Sequence, residues 1–148
     1  MNNRIIKFRG FFKADLGLKT PLMFEQKEIN GEWFFVCKDD PTIKYPFADV
    51  LFDEDFISQQ FTGLLDKNGV EIYEGDIVKI HKDGSPVPIL IRTPSVVIYT
   101  WGGFRIDGNN IDNWIMDEMD AGFDIVAVEV IGNIYENPEL LTPTNKLL

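Results

Sequence analysis

Apolar residues along this chain fall in short runs, some alternating with polar positions and some continuous, broken by Gly, Pro, Asn and Asp, a rhythm that predicts strands. Between Asn3 and Phe12, Ile5, Ile6, Phe8, Phe11 and Phe12 interleave with Arg4, Lys7 and Arg9, as in a strand with one wet face. Asp15 to Pro21 reads as a loop. Phe24–Asn30 and Glu32–Lys38 form a hairpin about Asn30-Gly31, a pair that tolerates the backbone of a tight turn. Pro41 and Pro46 make 39–48 a poor place for regular structure.

The stretch Gln60 to Ile80 carries the densest structural punctuation. Asp66-Lys67-Asn68-Gly69 predicts a second hairpin turn, with Asn68 and Gly69 at the two central positions of positive φ. Glu71 to Tyr73 alternates, Glu74-Gly75-Asp76 makes a corner, and Ile77 to Ile80 continues as a strand. A Gly-Asp step before a Val/Ile strand suits a strongly bent sheet, with Gly75 turning the chain and Asp76 satisfying nearby N–H groups.

Beyond it, Lys82 to Pro88 reads as a loop, followed by strands over Ile89–Ile91, Val96–Trp101 and Phe104–Ile106. The last two form a hairpin turning at Gly102-Gly103. A short helix is expected near Asp112–Met119, capped by Asn110 or Asp112. Phe123 to Ile134 is the most apolar stretch, a central strand bent or bulged at Gly132. Asn137-Pro138-Glu139 offers a cap residue, a proline at the first helical position and an acid in the first turn. A one-turn helix or a turn follows from that, and Thr142 onward is a tail.

Composition supports one ordinary domain, or a domain with an appended subdomain: 148 residues, 45% hydrophobic, with twelve Phe. Cys37 is the single cysteine, which rules out an intramolecular disulfide and reads as a small buried hydrophobe. No apolar run is long enough to span a bilayer, and the first residues lack the apolar core of a signal peptide, so no membrane association and an intracellular address are expected.

The formal charge is −10 and lies unevenly: residues 1–60 hold 8 Lys/Arg and 10 Asp/Glu, residues 61–148 hold 6 and 14. Such a chain repels phosphate backbones, so nucleic-acid binding is disfavoured. Arg4, Lys7, Arg9 and Lys13 form the local exception. They make either an arm for nucleic acid or an acidic partner, or a sheet strand whose charges pair with the chain's own acids.

The candidate chemistry is thin. His81 is the sole histidine, at a strand end. Asp53-Glu54-Asp55 suggests a solvated turn or a first helical turn more than a metal site. Asp107, Asn109 and Glu118 match positions of a calcium loop, but Ile111 and Asp112 break its defining positions. Trp33, Trp101 and Trp114 read as core packing rather than a binding cleft. Gly102-Gly103 lacks the partners of a phosphate loop. No catalytic, cofactor-binding or metal-ligating set is expected, and no cofactor, but the many carboxylates leave open a paired acid/base site and with it a carboxylate-dependent enzyme, although no spacing singles out a pair.

Three segments together resemble the YopX proteins of bacteriophages and prophages. They are Arg4-Ile5-Ile6-Lys7-Phe8-Arg9-Gly10, then Gln60-Phe61-Thr62-Gly63-Leu64 with Asp66–Gly69 and Ile72–Val78, and then Glu129–Leu141. Ser58-Gln59 departs from the Val-Gly that the resemblance leads one to expect there. The resemblance implies a phage-derived protein in the cytoplasm of a bacterial host, with a small SH3-like β-barrel as part of its fold. The chain is therefore expected to be mainly β. Residues 1–58 would hold an N-terminal β segment and hairpin, 59–141 an SH3-like barrel core with one or two short helices, and 142–148 a tail, unless all form one intertwined domain. Asn68, Gly69, Gly75, Asp76, Gly132, Asn137 and Pro138 would specify the fold. A non-enzymatic protein-binding or adaptor module, homo-oligomeric and with an unidentified protein partner, is the expected function. A nucleic-acid-associated regulator using Arg4, Lys7 and Arg9 is the alternative.

Overall fold

A computed structural model describes residues 6–15, 21–82, 94–100, 103–106, 109–110 and 126–141. The chain is mainly β and its sheets are antiparallel. It divides into two compact units, Met1–Phe61 and Thr62–Leu148.

The first unit is built on β1 (Phe8–Phe12), β2 (Phe24–Ile29), β3 (Glu32–Cys37), β4 (Lys44–Pro46), helix α1 (Phe47–Leu51) and the start of β5 (Phe56–Leu65). The strand order is β4-β3-β2-β1-β5. The β2–β3 hairpin pairs Phe24 with Cys37 through to Ile29 with Glu32, and its turn holds Asn30 at φ 51 and Gly31 at φ 84, as expected. Residues 3–5 of the expected Asn3–Phe12 strand lie outside the described residues; β1 begins at Phe8 and is followed by a 3-10 turn over Lys13–Asp15.

Residues 39–48 are more regular than the two prolines suggest. Pro46 ends the edge strand β4 and, at φ −54, stands at the N-cap of α1. A proline lacks only an N–H, and neither an outer edge nor a helix start needs that donor. Helix α1 then turns Phe47, Val50 and Leu51, at helical spacing, onto one face of the sheet. There they pack with Phe24, Phe35, Cys37 and Phe56, and with Phe8, Phe12, Leu22 and Ile43. Burying a phenylalanine as fully as Phe35 (0% exposed) stabilises by roughly 2–3 kcal/mol. Cys37 is buried as a free thiol, as expected. Trp33 departs from expectation: it lies at the hairpin end of β3, half exposed rather than in the core. Gly10 is required by packing, because a Cβ there would collide with the Ile57 carbonyl and the Phe56 ring.

The second unit comprises the end of β5, β6 (Glu71–Tyr73), β7 (Asp76–Lys82), β8 (Ser95–Val96), β9 (Ile98–Thr100), β10 (Gly103–Ile106), β11 (Asn109–Asn110), β12 (Val126–Asn133) and a 3-10 turn over Pro138–Leu141. Strand β6 neighbours β5, and two three-stranded sheets run β12-β7-β8 and β11-β10-β9. The Ile77–Ile80 strand pairs with the apolar stretch ending at Ile134: β7 and β12 run from Lys82 with Val126 to Asp76 with Asn133. The expected bulge is present, as a register shift between Val130 and Gly132. The hairpin expected to turn at Gly102-Gly103 is β9 with β10, which pairs Gly103 with Thr100. Ile72, Val78, Val97, Phe104, Ile106 and Val128 form the core, with Leu64 and Val130 against it.

In strand order the sheets are open, and among the described residues none closes on itself as a barrel. The expected helix near Asp112–Met119, the Ile89–Ile91 strand, and Trp101 and Trp114 lie outside the described residues.

Candidate functional site

The motif residues nominated by sequence assemble into a polar framework in the second unit. Asp66, buried at 7% exposure, is its centre. Its Oδ1 accepts the N–H groups of Asn68 and Val70, and its Oδ2 accepts that of Val130 on β12. Lys67 N–H donates to the Val128 carbonyl beside it. The expected two-residue turn is thus a five-residue loop, 66–70, in which Gly69 has φ 81 but Asn68 does not reach positive φ. A carboxylate that gathers the loop's donors removes the need for a left-handed asparagine.

Gly75 has φ 84, and the corner it makes is tied on both sides: its N–H donates to Val97 and its carbonyl accepts from Ile134. Asp76, 1% exposed, accepts the Tyr73 N–H at 2.7 Å, as the Gly-Asp step led one to expect. Gly132 lies against Asn137, whose Oδ1 would stand 2.6 Å from a Cβ at that position. Asn137 does not cap the following turn with its side chain in the expected way. Its Oδ1 accepts the Asn133 N–H, and its own carbonyl accepts from Leu140 just past Pro138. Asn133, missed by the sequence reading, is 3% exposed and accepts from the Tyr135 and Glu136 N–H groups. The Tyr135 hydroxyl is held above its ordinary 10.0 by partial burial and, secondarily, by Glu74. These hydrogen bonds to side-chain oxygens fix the backbone.

Of the basic residues, Arg4 lies outside the described residues. Lys7 is half-buried, and its carbonyl accepts from Phe61. Arg9 is buried in the sheet, 8% exposed, with its Nε donating to Gln59 Oε1 at 2.9 Å across the β1–β5 pair.

The first unit holds an open cleft of about 910 Å3, lined by Phe12, Lys13, Ala14, Asp15, Tyr45, Asp49, Val50, Asp53 and Asp55. Its walls are more apolar than polar. Phe12 meets Tyr45 edge-on at 5.4 Å and Phe56 at 5.1 Å, which holds the Tyr45 ring while leaving it 42% exposed. The rim is carboxylate, from three separate elements. Asp15 comes from the turn after β1 and Asp49 from α1. Asp53 and Asp55 come from a turn in which Asp53 Oδ1 accepts the Asp55 N–H, while the Asp55 carbonyl accepts from Lys13. The reading of Asp53–Asp55 as a solvated turn holds locally, but its convergence with Asp15 and Asp49 was not visible in the spacing. Among the described residues no three acids, cysteines or histidines gather closely enough to hold a metal ion. No helix among them is long and apolar enough to cross a membrane.

Comparison with known proteins places these features in context. A family model described as YopX protein matches residues 7–142. The chain is similar to the crystal structure of protein EF1440 from Enterococcus faecalis, with 25% identity over 94% of this chain and 99% of that one and a TM-score of 0.50. It is also similar to the crystal structure of protein yopX from Bacillus subtilis, with 19% identity over 91% and 97% and a TM-score of 0.49. No curated protein matches the chain.

Proposed function

The chain belongs to the YopX family, and from that premise we propose that it is a non-catalytic protein-binding module whose docking surface is the cleft of the first unit. The observation that carries this reading is the exposed, pre-positioned Tyr45 over an apolar floor. Rigid aromatic side chains held in place before binding supply contact area at low entropic cost. Phe52 adds to it: this C-cap residue of α1 stands between the lining residues Val50 and Asp53 in sequence and is 83% exposed. The second unit, where the SH3-like part would lie, serves in this reading as scaffold, its polar groups spent on backbone. The setting we propose is the cytoplasm of a bacterial host during the life cycle of a phage or prophage.

Benzoylphenylalanine placed at Ala14, which lines the cleft, tests the reading in cells that carry the corresponding prophage. A discrete adduct with one partner, identified by mass spectrometry and lost on Tyr45→Ala, is the expected result. Crosslinking no different from that of the same probe at exposed Glu28 would remove it.

A further inference from the structure

The rim of the cleft says more about its occupant than the floor does. Four carboxylates, from Asp15, Asp49, Asp53 and Asp55, surround an apolar and aromatic floor, opposed among the lining residues by the single ammonium of Lys13. They do not converge as a metal site would require. Charges spread around a rim suit an extended ligand with several positive charges better than one compact ion. Asp49, Asp53 and Asp55 are exposed, so they can meet an incoming side chain without being desolvated first. The Tyr45 ring, 42% exposed, can receive a guanidinium, which stacks on aromatic rings more readily than an ammonium does. A cleft of about 910 Å3 accommodates a few residues rather than a folded domain.

We infer that the cleft takes a short extended segment of a partner protein in which arginines alternate with apolar residues. The apolar side chains rest on Phe12 and Val50, and the arginines reach the rim carboxylates and Tyr45. This rests on the reading of the cleft as a protein-docking surface and names the chemistry of what docks. The negative net charge of the whole chain works in the same direction, steering a cationic segment toward it and repelling an acidic one.

The test uses a fluorescein-labelled peptide of alternating arginine and leucine, and the same peptide with citrulline in place of arginine, which keeps shape and removes charge. Fluorescence anisotropy with the full chain should show the arginine peptide binding at least about tenfold more tightly, with affinity falling as salt is raised. Asp49→Asn combined with Asp53→Asn should weaken it by about five- to tenfold. The Asp53 substitution keeps an Oδ1 for the Asp55 N–H, and an unchanged melting temperature confirms that the turn survives. Equal binding of the two peptides, abolished by Tyr45→Ala, overturns the inference while leaving a protein-docking cleft in place. If neither peptide binds, the inference falls. If the chain dimerises in light scattering and the double Asp→Asn variant is monomeric, the occupant is a second copy and the inference is overturned.

Discussion

The carboxylate of Asp66 accepts the backbone N–H of Val130 at 2.9 Å, across 64 residues of chain. The same side chain organises its own loop through Asn68 and Val70, so a local turn and a distant strand share one acceptor. Removing it orphans donors at both ends. Hydrogen bonds to a charged acceptor contribute about 1.5–3 kcal/mol each, non-additively, so Asp66→Ala should cost about 3–5 kcal/mol in urea unfolding. Asp66→Asn should cost less, about 2 kcal/mol. The amide oxygen can still accept from the loop, but the NH2 faces the Val130 donor. An Asp66→Ala chain as stable as the parent would show the framework to be incidental.

The contrast between that loop and the β2–β3 hairpin explains what could be read from sequence. Asn30-Gly31 was legible because the turn depends only on its own backbone, and both residues adopt positive φ. At Asn68-Gly69 the same dipeptide gives a different turn, since a side chain two residues earlier claims the donors. Strand β12 and its bulge were legible from its apolar run and Gly132. The cleft was not. Its acids come from three elements separated by up to forty residues, and each has a local explanation of its own: Asp15, Asp53 and Asp55 as turn residues and Asp49 as an exposed residue of α1.

Gly132 and Asn137 should behave as a coupled pair. A methyl group at 132 would press on the Asn137 side chain at 2.6–2.9 Å, and that side chain is engaged with the Asn133 N–H. Gly132→Ala is expected to destabilise by about 1–3 kcal/mol and Asn137→Ala by about 1 kcal/mol. Together they should cost less than their sum by about 1 kcal/mol, because the second substitution clears the space the first needs. A double-mutant cycle from denaturant unfolding reads the coupling directly. Strict additivity would mean that the bulge relaxes without involving Asn137.

Tyr135 is expected to set an alkaline limit on the fold. Partial burial, and then the charge of Glu74, raise its pKa above the ordinary 10.0. The folded state therefore holds the phenolic proton more tightly than the unfolded chain does. The resulting stability is fully present below pH 10.0 and is lost as pH rises through the folded-state value. Thermal unfolding should show the parent losing stability above about pH 10, and Tyr135→Phe losing less of it. Parallel pH profiles for the two would assign the alkaline limit to other groups.

Arg9 separates two roles for the basic N-terminal strand. Its guanidinium is buried and its Nε is bonded to Gln59, which ties β1 to β5 by side chains as well as by backbone. A lysine there keeps the charge but has no Nε in that position, and it carries a more strongly hydrated ammonium into the sheet. Arg9→Lys is therefore expected to destabilise by about 1–2 kcal/mol. If Arg9 acts through the sheet, retention of double-stranded DNA in a mobility-shift assay at low ionic strength should be equally weak for the parent and Arg9→Lys. If Arg9 instead met phosphate, retention would be salt-dependent and would fall on Arg9→Gln, since each neutralised phosphate contributes its share of released counterions. Such a result would return the strand to nucleic-acid contact and leave the Gln59 bond as a secondary feature.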